Sequence, residues 1–394
     1  MTEDKGVTID DLFPEKSRLL LSGGGKDFIE RLGVETTRRV ILYVMMGENL
    51  REQTEPLTRR RVAQVSAAMV TLFAKGGLSI ENFSDNLTDM ALAQLKAKKN
   101  DKASLWPAQW LVGLTGKSVQ NVLRSKDDAL ENYITDFQAA IDEAAEKCTQ
   151  DIGDLRMTLG WIEDKDGRTT ELNWKDITRL TTAIGAQTLT IRGSDKSIYG
   201  KLFERLILGT FLTIMGFERV DPANNTKDAG VFWLSDSSDT RECDATLLVS
   251  PGKLARFDIG FIGPGNSEIS KDKLSRYARE VEVAGEKSSS VTFIVVDRLP
   301  KTGKTETAAK AIEAEIIQMS MKHWPRELAV RLGERLDIKH KLQDLSDEEI
   351  GDFLKAAVDD VAVQDFLVGV SASDLEVEVD LESVDEELAS FEEE

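Results

Sequence analysis

Histidine and cysteine are almost missing from this sequence: 394 residues carry two of each. With only His323 and His340, a histidine triad, a His-rich zinc site or a His-Cys pair has almost nothing to be built from. Cys148 and Cys243 lie far apart and match no C-x-x-C metal spacing, so they form no disulfide framework and point to a reducing cytoplasm. The N-terminus has no basic start followed by an apolar stretch. The most apolar segment, Leu206 to Phe217, is too short to span a bilayer, so the chain reads as neither exported nor membrane-bound. No solenoid or propeller repeat is present. Any catalysis is left to carboxylates, lysines and a metal.

What is there in quantity is acid. The formal charge of -20 argues at first against a nucleic-acid partner, but its distribution removes the objection. From Asp344 to Glu394 there are nineteen acids and one base, Lys355, a net of -18; the preceding 343 residues hold 51 acids and 49 bases, a net of -2. The body is thus nearly neutral, with local basic clusters at Arg59, Arg60 and Arg61 and at Lys96, Lys98, Lys99 and Lys102.

Hydrophobic residues at 41% are enough for real cores, and the length predicts two or three structural units. From Leu57 to Cys148 apolar residues fall at three- and four-residue spacing, as in RRVAQVSAAMVTLF and DALENYITDFQAAIDEAA, which predicts helices. A connecting region follows, with LNWKDITRL as a helix and AQTLTI as a strand. From Ser197 the order becomes helix (SIYGKLFERLILGTFLTIMGF), three strands (VFWLS, RECDATLLV, LARFDIGFI), helix (KDKLSRYAREVEVA), strand (VTFIVVD), helix (TAAKAIEA) and strand (EIIQMSM). The expected organisation is an N-terminal arm over 1–56, a helical DNA-recognition domain over 57–150, a connecting region over 151–196, a core over 197–325, and a helical segment with an acidic tail over 326–394. The fold class is α+β: a mostly helical N-terminal domain joined to an α/β core with a mixed central sheet.

Pro251-Gly252 sits between two apolar strands and predicts a hairpin turn. Pairing about it brings Asp244 opposite Asp258 or its neighbour. Two carboxylates drawn together among Cys243, Ala245, Phe257 and Ile259 repel each other unless they share a cation. Oxygen-only ligands with open positions suit Mg2+. Glu204, embedded in the apolar helix FERLILGTFL, is a third candidate ligand or an orienter of bound water; Glu242 and Glu268 are further acids nearby in sequence. Each of these acids taken alone is most simply a solvent-face residue.

Two other motifs stand in the sequence. LPKTGKTETAAK has a strand-to-helix context but carries Arg298 where a P-loop needs its first glycine, so a capped helix start is the better reading. LWPAQWLVGLTGKSVQNVLRSK predicts a helix-turn-helix turning between Gly113 and Gly116. Its second helix would present Lys117, Ser118, Gln120, Asn121 and Arg124, amide and cationic side chains of the kind that read base edges in a major groove. An ordinary helical hairpin is the plainer alternative. The tail VEVDLESVDEELASFEEE reads as a solvating acidic terminus.

The order of elements and the acids resemble the PD-(D/E)XK nuclease core. KLFERLILG, RECDATLLV, RFDIGFIGPGNSEISKDKLSRY, FIVVDR and EIIQMSM together resemble CfrBI-type restriction endonucleases, and GLTGKSVQNVLR agrees. The resemblance implies a type II enzyme that hydrolyses phosphodiester bonds of double-stranded DNA with Mg2+, with Asp244 as the first motif acid and Asp258 as the second. It also implies a homodimer or higher homo-oligomer in functional pairing with a DNA methyltransferase. One departure stands out: Gly260 occupies the position where the motif has its lysine. That leaves open a second reading, a helical DNA-binding or scaffold protein whose nuclease-like domain is inactive.

A migrated lysine is the expected answer to Gly260. Lys253 is five residues from Asp258, roughly 17 Å along an extended strand, and out of reach. Lys271 and Lys273 point about 200° apart on a helix, so only one faces the sheet. Leu274, Tyr277 and Val281 mark the apolar stripe; Lys273 borders it and Lys271 falls away. Arg276 also borders it, but a guanidinium does not give up a proton. Lys273 is therefore the expected catalytic lysine.

Overall fold

The computed structural model describes residues 7–96, 105–115, 129–152, 161–171, 174–235, 243–261, 289–297 and 314–375. Their architecture is α+β, with a mixed six-stranded sheet. The chain divides into two compact units, and each is made of discontinuous segments. Unit 1 takes residues 1–23, 58–195 and 376–394; unit 2 takes 24–57 and 196–375.

In unit 1, short helices α1 (Ile9–Leu12) and α2 (Glu15–Ser22) precede the long α5 (Leu50–Ser79), whose part from Thr58 belongs to this unit. Then come α6 (Phe83–Lys96), α7 (Trp106–Leu111), α8 (Ala129–Ile152), a hairpin of β1 (Trp161–Glu163) and β2 (Thr169–Glu171), and the first part of α9 (Trp174–Ile214). Phe73, Trp110, Ala183 and Ile191 are buried in its core. Gly113 takes φ +69°, a conformation L side chains rarely adopt, and it ends α7 where a turn was expected.

Buried charge ties these helices together. Arg61 is 0% exposed: it pairs with Asp195, donates from Nε to Leu20 O at 2.9 Å and from Nη1 to Ser194 Oγ at 3.1 Å, and lies 5.8 Å from the centroid of the Trp106 ring. Arg179 on α9 donates to Ser84 O and Ser84 Oγ on α6 and to Gln138 Oε1 on α8. Its burial pushes the guanidinium pKa down from its usual value. Of the basic cluster Arg59, Arg60 and Arg61, the first two are exposed and Arg61 is buried.

A second correction concerns AQTLTI, expected as a strand. Ala186–Ile191 lies inside the 41-residue α9. Thr188 and Thr190 return their hydroxyls to Ile184 O and Ala186 O, both at 2.9 Å, which satisfies the hydroxyls within the helix. Ala186, Gln187 and Ile191 are buried, so packing on the core favours the helical period.

Unit 2 contains α3 (Gly25–Leu32), α4 (Val34–Met45), the remainder of α9, a six-stranded sheet, and α10 (Trp324–Leu336), α11 (Ile350–Asp359) and α12 (Ala372–Leu375). Residues 24–57, expected as part of an arm, are helical and fold with the sheet. Trp324 shows why: its indole donates to Val44 O at 2.8 Å. The sheet runs β3 (Glu218–Arg219), β4 (Val231–Leu234), β5 (Ala245–Ser250), β6 (Lys253–Gly260), β7 (Ser289–Val296) and β8 (Glu315–Gln318), adjacent in that order. The β4-β5 and β5-β6 pairs are antiparallel and the others parallel. The β5-β6 hairpin turns at Pro251-Gly252, with Gly252 at φ +80°.

One face of the sheet is apolar and fully buried through Phe232, Leu247, Phe257 and Phe293; the last two stack with centroids 5.4 Å apart. At Gly209 of α9 an added Cβ would sit 2.7 Å from the Phe366 ring, so only glycine admits this approach. One described helix, Leu50–Ser79, is long and apolar enough by composition to cross a membrane. Yet Arg61 is buried in it and its Ser66 Oγ donates to Gln187 Oε1 at 2.9 Å, as in a core helix.

Candidate functional site

The β5-β6 hairpin places the two expected acids. Ala245 faces Phe257 in the register, and Asp244 stands just before β5. Its amide donates to Phe257 O at 2.9 Å, and its carboxylate Oδ2 accepts the amide of Ile259 at 2.7 Å. Asp244 is thus fastened to the residues on either side of Asp258. Both acids are half-buried, while Ala245, Phe257 and Ile259 between them are fully buried. A register shift between Leu248 and Ser250 moves the pairing by one residue from the count set at the turn, so that Ala245 faces Phe257 and Asp244 stands level with Asp258.

Alternation decides what shares a face with Asp258. Arg256 and Gly260 do, being two residues away on either side. Arg256, half-buried and level with Thr246 and Thr292, has its backbone about 6.6 Å from that of Asp258 along the strand. Gly260 is buried and level with Val296, and Asp297 follows, donating its amide to Gly260 O at 3.3 Å. Sequence reasoning singled out neither Arg256 nor Asp297. The signal for Arg256 was its even spacing from Asp258; Asp297 lies just past the end of β7, where strand alternation assigns no face.

Glu204 is half-buried on α9 between the buried Phe203 and the half-buried Arg205. Arg205 donates to Ser235 O, just beyond β4, and Ser235 in turn donates its amide to Asp244 O at 3.1 Å. Among the described residues no group of three or more His, Cys, Asp or Glu side chains gathers closely enough to hold a metal. Two carboxylates are what these residues offer. That set fits a hard cation whose other positions are filled by water and phosphate oxygens. Cys243 Sγ, the nearest soft donor in sequence, lies 3.3 Å from Thr246 Oγ1.

Lys273, Glu242, Glu268 and the helix-turn-helix residues Lys117, Ser118, Gln120, Asn121 and Arg124 lie outside the described residues. The first helix of that motif is present as α7, buried from Pro107 to Leu111.

A family model for the CfrBI restriction endonuclease matches residues 34–304. The type II restriction enzyme CfrBI of Citrobacter freundii is 31% identical over 365 residues, which cover 90% of this chain and 97% of that protein. No solved structure matches. With a family model matched over most of its length and a relative 31% identical over 90% of it, the chain belongs to the CfrBI restriction endonuclease family.

Proposed function

We propose that this chain is a site-specific endonuclease that hydrolyses double-stranded DNA with Mg2+ held by Asp244 and Asp258. The observation that carries the reading is the fastening of Asp244 to Phe257 and Ile259, which sets the two acids level with each other on adjacent strands of one half-buried hairpin. Without a cation such a pair is costly.

In this reading Asp244 and Asp258 bind the metal, and Glu204 orients water from the helix side. Lys273 takes the place of the lysine replaced by Gly260, near the attacking water, and Arg256 neutralises phosphate charge on the Asp258 face. When bound, Mg2+ supplies a Lewis acid that stabilises charge on the phosphate and the departing oxygen. No covalent enzyme intermediate is required. Lys117, Ser118, Gln120, Asn121 and Arg124 read bases. The enzyme acts as a dimer or higher oligomer on a symmetric site, in the cytoplasm, with a DNA methyltransferase protecting the host sequence.

Gly260 favours a second reading, a DNA-binding protein with an inactive nuclease domain. A plasmid digest with and without Mg2+ separates the two. Discrete Mg2+-dependent bands are expected; a smear indicates a nonspecific nuclease, and uncut plasmid with retained DNA binding favours the second reading.

A further inference from the structure

Arg205 neighbours Glu204 on α9 and reaches two other segments at once. Its Nη1 donates to Ser235 O just past β4, and its Nε donates to Phe366 O at 3.2 Å in the 3-10 turn Val363–Leu367. Ser235 continues the run: its amide donates to Asp244 O at 3.1 Å and its hydroxyl to Cys243 O. Asp244 then accepts the amide of Ile259 through its carboxylate. A single half-buried guanidinium on the helix therefore ends a chain of hydrogen bonds that passes through Asp244 to the strand carrying Asp258.

We infer that Arg205 is a positioning residue that sets the height of the hydrogen-bonded pair Ser235 and Asp244 against α9, and with it the separation between Glu204 and the two strand acids. This rests on the reading of Asp244 and Asp258 as metal-binding carboxylates. A guanidinium is a rigid planar fork, so its two bonds hold both carbonyls at one spacing; an ammonium on a flexible stem holds one. Metal-binding carboxylates need support of this kind, because about 0.5 Å of misplacement is enough to spoil a site.

The test uses the full-length protein as wild type, Arg205→Met, Arg205→Lys and Asp244→Asn. Mg2+ affinity is measured by titration calorimetry without DNA, and kcat and KM on a cleavable duplex. Arg205→Met is expected to weaken Mg2+ binding and to lower kcat by about tenfold to a hundredfold, the usual effect of losing a support behind a metal ligand, with KM for DNA unchanged. Arg205→Lys is expected to recover part of both. Wild-type Mg2+ affinity and kcat in Arg205→Met, with cleavage lost in Asp244→Asn, overturns the role of Arg205. Wild-type Mg2+ binding and cleavage in Asp244→Asn overturns instead the reading of the site. If Arg205→Met does not fold, Arg205→Lys decides: weaker Mg2+ binding supports the role and unchanged binding overturns it.

Discussion

The carboxylate of Asp244 and the backbone amide of Ile259 are joined at 2.7 Å across the β5-β6 hairpin. Through this bond the first acid of the proposed site is oriented by the strand that carries the second. Asp244→Asn keeps an oxygen able to accept that amide while removing the charge. It should therefore fold normally, abolish cleavage and leave DNA binding intact or tighter, since repulsion of phosphate is relieved. Asp258→Asn should behave alike. Gel-shift and cleavage assays on each variant check this, and full cleavage by either would exclude the hairpin as the active site.

Glu204→Gln should be milder if the side chain acts on water rather than on the metal directly. A wild-type rate would make Glu204 a surface acid of an apolar helix and nothing more.

Lys273→Met should abolish cleavage with metal and DNA binding retained, and Lys271→Met should be nearly silent. The opposite pattern in single-turnover rates would move the helix start, and robust activity in both would remove the migrated lysine from the mechanism.

Gln120→Ala or Asn121→Ala should lower the ratio of specific to nonspecific binding by about 1 to 3 kcal/mol if a base-edge contact is lost. Equal weakening on all sequences would indicate a phosphate contact instead.

In unit 1, Asp195→Ala leaves Arg61 with its charge buried and its carboxylate partner gone. Loss of one partner from a buried pair costs about 3 to 5 kcal/mol, which urea denaturation would register. A loss well under 1 kcal/mol would mean that water replaces the carboxylate.

The sequence alone determined the elements whose signal is local. VFWL, the β5-β6 hairpin, VTFIVV and EIIQ carry their own periodicity, and Pro251-Gly252 draws Asp244 to Asp258 or its neighbour, a choice settled by the register shift between Leu248 and Ser250. The acids of the candidate site were legible for the same reason, since hairpin geometry needs no distant information. What tertiary structure alone decided depends on partners far away in the chain. AQTLTI became helix because Ala186, Gln187 and Ile191 are buried against a core that strand alternation could not fill. Arg61 is buried while Arg59 and Arg60 are exposed because Asp195 and Leu20 O meet it, at separations of 134 and 41 residues. Residues 24–57 joined the sheet unit through bonds such as Trp324 to Val44. The link from Arg205 through Ser235 to Asp244 likewise has no periodicity behind it, because a backbone carbonyl can accept from any donor that folding brings to it.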